Sequence, residues 1–304
     1  MKKVCNLIKR NILIFFRDRA AVFFSVLSML IVLGVMVIFL GNMSSESIID
    51  MLSQMGGERD AMTDQKNAEY LIKMWTLAGI LAVNSLTISM TVMQNMISDE
   101  AQNRLASFYV APVKRIQLAL GYVGSSFLIA SGMCVLTLFV GECYMVISGH
   151  PLLAITDILK LIAMIMLNAF IYASISYLLA MFIHSESAWG GILTVVGTLV
   201  GFVGAIYLPM SALPDNVAGI LKCLPVLHGA SMMRVVCTKD AVAETFAGLP
   251  GEVTKAFNEG MGVTVSIGGE IVTLQMQVAF LLTCGIIAII AAALISKRRK
   301  VRDR

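Results

Sequence analysis

Two groups of residues in this chain are of types and spacings that could do chemistry. The first is the stretch 98–115, Ser-Asp-Glu-Ala-Gln-Asn-Arg-Leu-Ala-Ser-Phe-Tyr-Val-Ala-Pro-Val-Lys-Arg, which crowds Asp99, Glu100, Arg104, Lys114 and Arg115 around Leu105, Phe108 and Tyr109. Ser98 can cap a short helix with Asp99 and Glu100 in its positive first turn, and Leu105, Phe108 and Tyr109 then share one side before Pro112 ends it. Such a helix recognises rather than reacts: it offers an apolar plug rimmed by orienting charges. A charged loop that binds lipid headgroups is the plainer reading. The second group is a polar stripe in apolar surroundings, Asn84, Thr87, Thr91 and Gln94 at i, i+3, i+7 and i+10, with Asn168 further along. Polar side chains at membrane depth either line a pathway or knit helices together by hydrogen bonds, and the spacing alone fits both.

Other chemistry is not encoded. His150, His184 and His228 are too scattered for a metal or a proton relay, no H-E-x-x-H occurs, and no serine has an identifiable base, so no catalytic or metal-binding residue is assigned. Glu142 and Lys160 read as interfacial charges that reach water, the latter by snorkelling. No G-x-x-x-x-G-K-[ST] is present, so the chain carries no phosphate cradle and no cofactor of its own is expected.

The elements that must hold these groups follow from composition. In 304 residues, 58% are hydrophobic and only 14% charged, against about 25% charged in a soluble domain, and mean hydropathy is +0.84. A soluble enzyme and a disordered chain are excluded, and a formal charge of +4 gives no ground for nucleic-acid binding. A spanning helix needs about 20 apolar residues, because roughly 30 Å of hydrocarbon is crossed at 1.5 Å per residue. Six segments qualify, at about 20–41, 75–97, 117–147, 158–183, 190–208 and 275–296. Their apolar runs are continuous, which excludes the period-two alternation of a membrane β-barrel. The expected fold is an all-α integral membrane protein with six transmembrane helices.

Charge gives the orientation. The N-terminus, the loops after the second and fourth spans and the C-terminal tail carry fifteen of the 23 basic residues and five of the 19 acidic ones, so one face is formally +10 and the other −6. The positive-inside rule places both termini in the cytoplasm. Residues 1–19, with Val4, Leu7, Ile8, Ile12 and Phe15 at helical spacing among Lys and Arg, read as an interfacial amphipathic helix preceding a transmembrane domain over 20–304. The first apolar run is too long for a signal peptide and stays as a helix. Loop 42–74 reads as a short solvated excursion with some helix around a Gly56-Gly57 break. Cys223 and Cys237 are the one pair that could meet in an oxidising exterior, although buried cysteines more often serve as small apolar filler. In the fifth span, Gly197-x-x-x-Gly201 offers a surface for close helix packing or dimerisation. The stretch after it, broken by Pro209, Pro214 and Pro225 yet still apolar, predicts re-entrant or interfacial outer helices, and 239–274 reads as an exposed polar cap.

Three of these segments together resemble the permease subunit of ABC-2 type exporters, and the resemblance covers nearly the whole chain. Phe16-Arg-Asp-Arg19 is similar to the family's aromatic-arginine-aspartate entry into the first span. Asp99-Glu100, Arg104-Leu105 and Ala111-Pro-Val-Lys-Arg115 resemble its coupling helix, with Gln102-Asn103 standing where many members have glycine. Leu208-Pro-Met-Ser-Ala-Leu-Pro214 and Pro225-Val-Leu-His-Gly-Ala-Ser-Met-Met-Arg234 resemble its outer re-entrant region. The resemblance implies a homodimer or heterodimer of permease subunits in a cell membrane, with lipid around it. It also implies ATP and Mg bound by separate ABC ATPase subunits, and export of a hydrophobic or amphipathic substrate such as a drug, peptide, lipid or lipid-linked glycan. Asp99, Glu100, Arg104, Leu105, Phe108, Tyr109, Lys114 and Arg115 would then couple to the ATPase. A non-transporting membrane scaffold is the alternative reading.

Overall fold

The computed structural model describes residues 2–35, 41–54, 60–104 and 113–298. Its principal elements are helices: α1 (Lys2–Arg17), α2 (Arg19–Val35), α3 (Gly41–Gln54), α4 (Ala61–Ala101), α5 (Arg115–Ile147), α6 (Ile155–Ala180), α7 (Glu186–Val203), α8 (Asp215–Leu221), α9 (Pro225–Cys237), α10 (Lys239–Thr245), α11 (Gly251–Gly260) and α12 (Leu274–Arg298). A two-residue hairpin, β1 (Ser266–Ile267) and β2 (Glu270–Ile271), precedes α12.

Five of these helices, α4, α5, α6, α7 and α12, are long and apolar enough to cross a bilayer, and α8 and α9 meet at 85° as a bent pair that passes the same test together. The chain is an all-α, multi-pass membrane protein. The first predicted span begins as α2, whose 17 helical residues are followed by 36–40, outside the described residues.

Helix α4 is the axis of the bundle. Between Met74 and Ile97 every residue is buried except Thr87, Thr91, Gln94 and Asn95, because α5, α6, α7 and α9 pack round it. It runs 41 residues rather than the 23 predicted, since Asp60 caps it by accepting the Thr63 amide at 3.1 Å. Thus most of the expected outer loop is helical, as α3 and the first turns of α4. Helices α7 and α12 lie at the periphery and expose apolar side chains such as Val195, Leu199, Ile286 and Ile290.

The prediction of a new helix starting at Ser98 is corrected. Nothing between Ile97 and Ala101 breaks α4, which carries Asp99 and Glu100 in its last turn. Ser98 accepts a hydrogen bond from Gln102 Nε2 at 3.0 Å instead of capping. The helix ends where Asn103 adopts φ 54°, the left-handed conformation that glycine usually supplies and asparagine tolerates. That is the conformational counterpart of the glycine expected by resemblance at this point.

Candidate functional site

Acidic residues in the last turn of a helix face its negative pole, so Asp99 and Glu100 need cations from elsewhere. Helix α1 supplies the main one. Arg10 donates from both terminal nitrogens to the Asp99 carboxylate, at 2.6 and 2.7 Å, in a bidentate fork. Tyr122 Oη of α5 donates to the same carboxylate at 2.7 Å, and Arg104 lies 3.6 Å from it. Asp99 is 1% exposed. Its hydrogen bond to Arg10 pushes the Arg10 guanidinium above the ordinary arginine value. Glu100 pairs with His184 Nδ1, 2.7 Å away in the turn between α6 and α7.

Apolar packing brings Arg10 there. The amphipathic face of α1 buries Leu7, Asn11 and Phe15, and α5 receives it at two glycines. A Cβ on Gly121 would stand 2.7 Å from Leu7 Cβ, and one on Gly124 2.7 Å from Ile8 Cδ1. Asn11 Nδ2 donates to the Gly121 carbonyl and to Ser125 Oγ, and Asn95 Nδ2 donates to the Asn11 carbonyl. Gln117 Oε1 accepts the Lys114 amide and caps α5, while Arg115 donates to the Ser296 carbonyl at the end of α12. Helices α1, α4, α5 and α12 and the α6–α7 turn are therefore tied at one end of the bundle, here the basic end. Of the predicted coupling residues, Asp99, Glu100, Arg104, Lys114 and Arg115 gather at this end; Leu105, Phe108 and Tyr109 lie outside the described residues.

The predicted pathway residues divide. Asn84 is buried and donates to Thr137 Oγ1 at 3.3 Å. Asn168 is buried, donates to the Met164 carbonyl and abuts Gly229, where a Cβ would stand 2.2 Å from its Oδ1. Thr87, Thr91 and Gln94 are half-buried on the partly accessible side of α4; the two threonine hydroxyls donate to carbonyls one turn back. The glycine pair divides too. Gly201 is covered by the ring of Tyr207, 2.3 Å from where its Cβ would be, while Gly197 has open space beside it.

Sequence reasoning assigned no role to Arg234, which organises the opposite end of the bundle, here the cap end. Its side chain is wholly buried and donates to the carbonyls of Gly262 at 3.2 Å, Gly204 at 3.0 Å and Ala205 at 2.8 Å. The guanidinium lies 4.5 Å over the Trp75 ring, a cation–π contact. Trp75 Nε1 donates to the Met261 carbonyl and Ser231 Oγ to that of Val263. Three consecutive carbonyls, 261 to 263, are thereby each held by a different side chain. An arginine in an otherwise apolar, proline-broken stretch was the signal, since a cation there requires partners.

One expectation changes at this end. Glu142 does not reach water: it is buried, and Oε2 accepts the Leu153 amide at 3.1 Å, closing the turn between α5 and α6. Cys223 and Cys237 are free thiols, the first exposed and the second buried. Lys160 is exposed and pairs with Asp157 at 2.6 Å.

The family described as ABC-2 family transporter protein matches residues 45–296. Among curated proteins no relative matches the sequence.

Proposed function

Because the chain belongs to the ABC-2 family of transporter proteins, membrane components that work with ABC ATPase subunits, we propose that it is the permease subunit of an ATP-driven exporter with its basic end in the cytoplasm. The observation that carries this reading is the partly accessible side of α4. A central helix otherwise buried between Met74 and Ile97 leaves Thr87, Thr91 and Gln94 partly accessible, at i, i+4 and i+7 on one face, beside Asn95 that meets α1. In a dimer of such subunits these stripes would face each other across a polar-lined conduit, with Asn84 and Asn168 bracing its walls and Gly197 at a contact between subunits. Six spans, counting α2, put both termini on the same side, and α8 with α9 forms a re-entrant outer element.

The transported molecule is hydrophobic or amphipathic, such as a drug, peptide, lipid or lipid-linked glycan. ATP and Mg belong to the partner ATPase. The stretch after Arg104 is the docking element: Leu105, Phe108 and Tyr109 plug an ATPase groove, and Arg104, Lys114 and Arg115 orient it. The Arg10–Asp99–Tyr122 cluster passes the resulting motion to α1, α4 and α5 together. Copurification tests this. Leu105→Asp or Phe108→Asp is expected to release the ATPase while the permease still inserts; retention of the ATPase by both variants would refute the assignment.

A further inference from the structure

A cleft of about 410 Å³ lies at the cap end, well away from the α4 stripe and the basic end, between the start of α4, the α5–α6 turn and α10. His150, in the turn, is 7% exposed and stacks on Tyr70 with ring centroids 5.1 Å apart. Its Nε2 lies 3.1 Å from Lys73 Nζ. An ammonium only donates, so Nε2 accepts and the ring proton sits on Nδ1. That Nδ1 is buried and has no partner. A buried donor without an acceptor costs about 1–3 kcal/mol, and an acceptor entering the cleft would recover it. Burial, followed by the charge of Lys73, holds the His150 pKa below the ordinary histidine value, so the imidazole presents a neutral N–H.

The other lining groups set the ligand's charge. Lys66, Asp60 and Glu244 also line the cleft. A cation and two carboxylates round one hydrogen-bond donor suit a zwitterion with an oxyanion and an ammonium group. Position and surroundings favour a lipid source. Lys66 and Tyr70 precede Trp75 by nine and five residues, roughly 14 and 7 Å along the helix axis, which is headgroup height above the predicted apolar span. Beside the cleft, Ile147 (84% exposed), Val146, Leu152 and Ile155 present aliphatic side chains outward, a surface for acyl chains.

We propose that this cleft binds a phosphoethanolamine unit, carried by the headgroup of a zwitterionic outer-leaflet phospholipid, with the phosphate toward His150 and Lys66 and the ammonium toward Asp60 and Glu244. The site is separate from the conduit along α4, and only its assignment to the outer leaflet rests on the orientation proposed above.

Native mass spectrometry of the full chain in detergent tests it, with phosphatidylethanolamine, phosphatidylglycerol and soluble phosphoethanolamine as probes. Phosphatidylethanolamine is expected to bind at least fivefold more tightly than phosphatidylglycerol and to be displaced by phosphoethanolamine. Lys66→Ala and Glu244→Gln, both at exposed positions that leave the fold intact, should each abolish the preference. His150→Phe should weaken both lipids while keeping the stack on Tyr70. Binding of free phosphoethanolamine without the lipid would assign the same chemistry to a soluble ligand. Equal retention of the two lipids by the unmodified chain, or a preference unchanged in Lys66→Ala and Glu244→Gln, would overturn the proposal.

Discussion

Each end of the bundle is fastened by an arginine, and the two fastenings differ in kind. At the basic end, Arg10 meets a carboxylate that belongs to another helix, and 29% of its side chain remains in contact with solvent. At the cap end, Arg234 is fully buried and donates to backbone carbonyls, and among the described residues it makes no ion pair. Arg10 keeps contact with water while Asp99 is buried, so this pair parts by moving two side chains on separate helices and admitting water to Asp99. A carbonyl cage cannot open without moving the backbone of residues 204–205 and 262. Ala205 is itself held at φ 50°, a conformation a non-glycine residue keeps only where its surroundings enforce it. The basic end is thus joined through side chains and the cap end through backbone, and under the proposed function motion would enter at the side-chain junction.

Breaking the fixed end should have the largest effect. Arg234→Met removes the donors that three buried carbonyls share and is expected to destabilise the chain by about 3 kcal/mol or more, read as a fall in thermal unfolding temperature in detergent. Arg234→Lys should recover only part of this, because a compact ammonium cannot reach three carbonyls in a fork or stack on Trp75. Full stability in Arg234→Met would show that the cage is incidental and dissolve the contrast.

Breaking the releasable end should cost less globally and more locally. Asp99→Asn leaves Arg10 without its counter-charge, a loss of about 2–3 kcal/mol. Because α1 is attached chiefly through that pair and the Gly121–Gly124 notch, the loss should appear as faster hydrogen exchange of residues 2–17 with little change in α9. Uniform acceleration across the whole chain would mean that the pair is as structural as the cage.

Much of this frame was legible in the sequence, and the failures have physical causes. Apolar runs set the spans within a few residues for α5, α6, α7 and α12, because hydrocarbon thickness constrains them directly. Residues 61–74 of α4 lay outside the predicted span, since its first turns mix charges and apolar residues with no run long enough to register. Asp99 and Glu100 after a serine look locally like the start of a helix; at the end of one, Asp99 is compensated by Arg10, 89 residues away. Arg234 was visible but its purpose was not, because backbone carbonyls leave no mark in the sequence. Glycine spacing drew attention to Gly197 and Gly201, whereas Gly121 and Gly124 are a pair that admits another helix of this chain, α1.

The smallest effect sharpens the contrast from within the cap end. His150 sits against Lys73, with Tyr70 stacked on it and Glu69 and Lys66 nearby. Burial comes first and Lys73 second in lowering its pKa, so the folded protein resists protonating it while the unfolded chain does not. Between the ordinary histidine value of about 6.5 and the lower folded value, the unfolded state binds more protons, and stability therefore rises with pH. The contribution is fully present above about pH 6.5 and is lost as pH falls from there through the folded value. Thermal unfolding at pH 7.5 and 5.5 should show a modest drop on acidification that His150→Phe reduces, while Asp99→Asn leaves that drop in place. A drop of the same size in His150→Phe would move the acid-sensitive group elsewhere and leave the cap end held by its carbonyl cage alone.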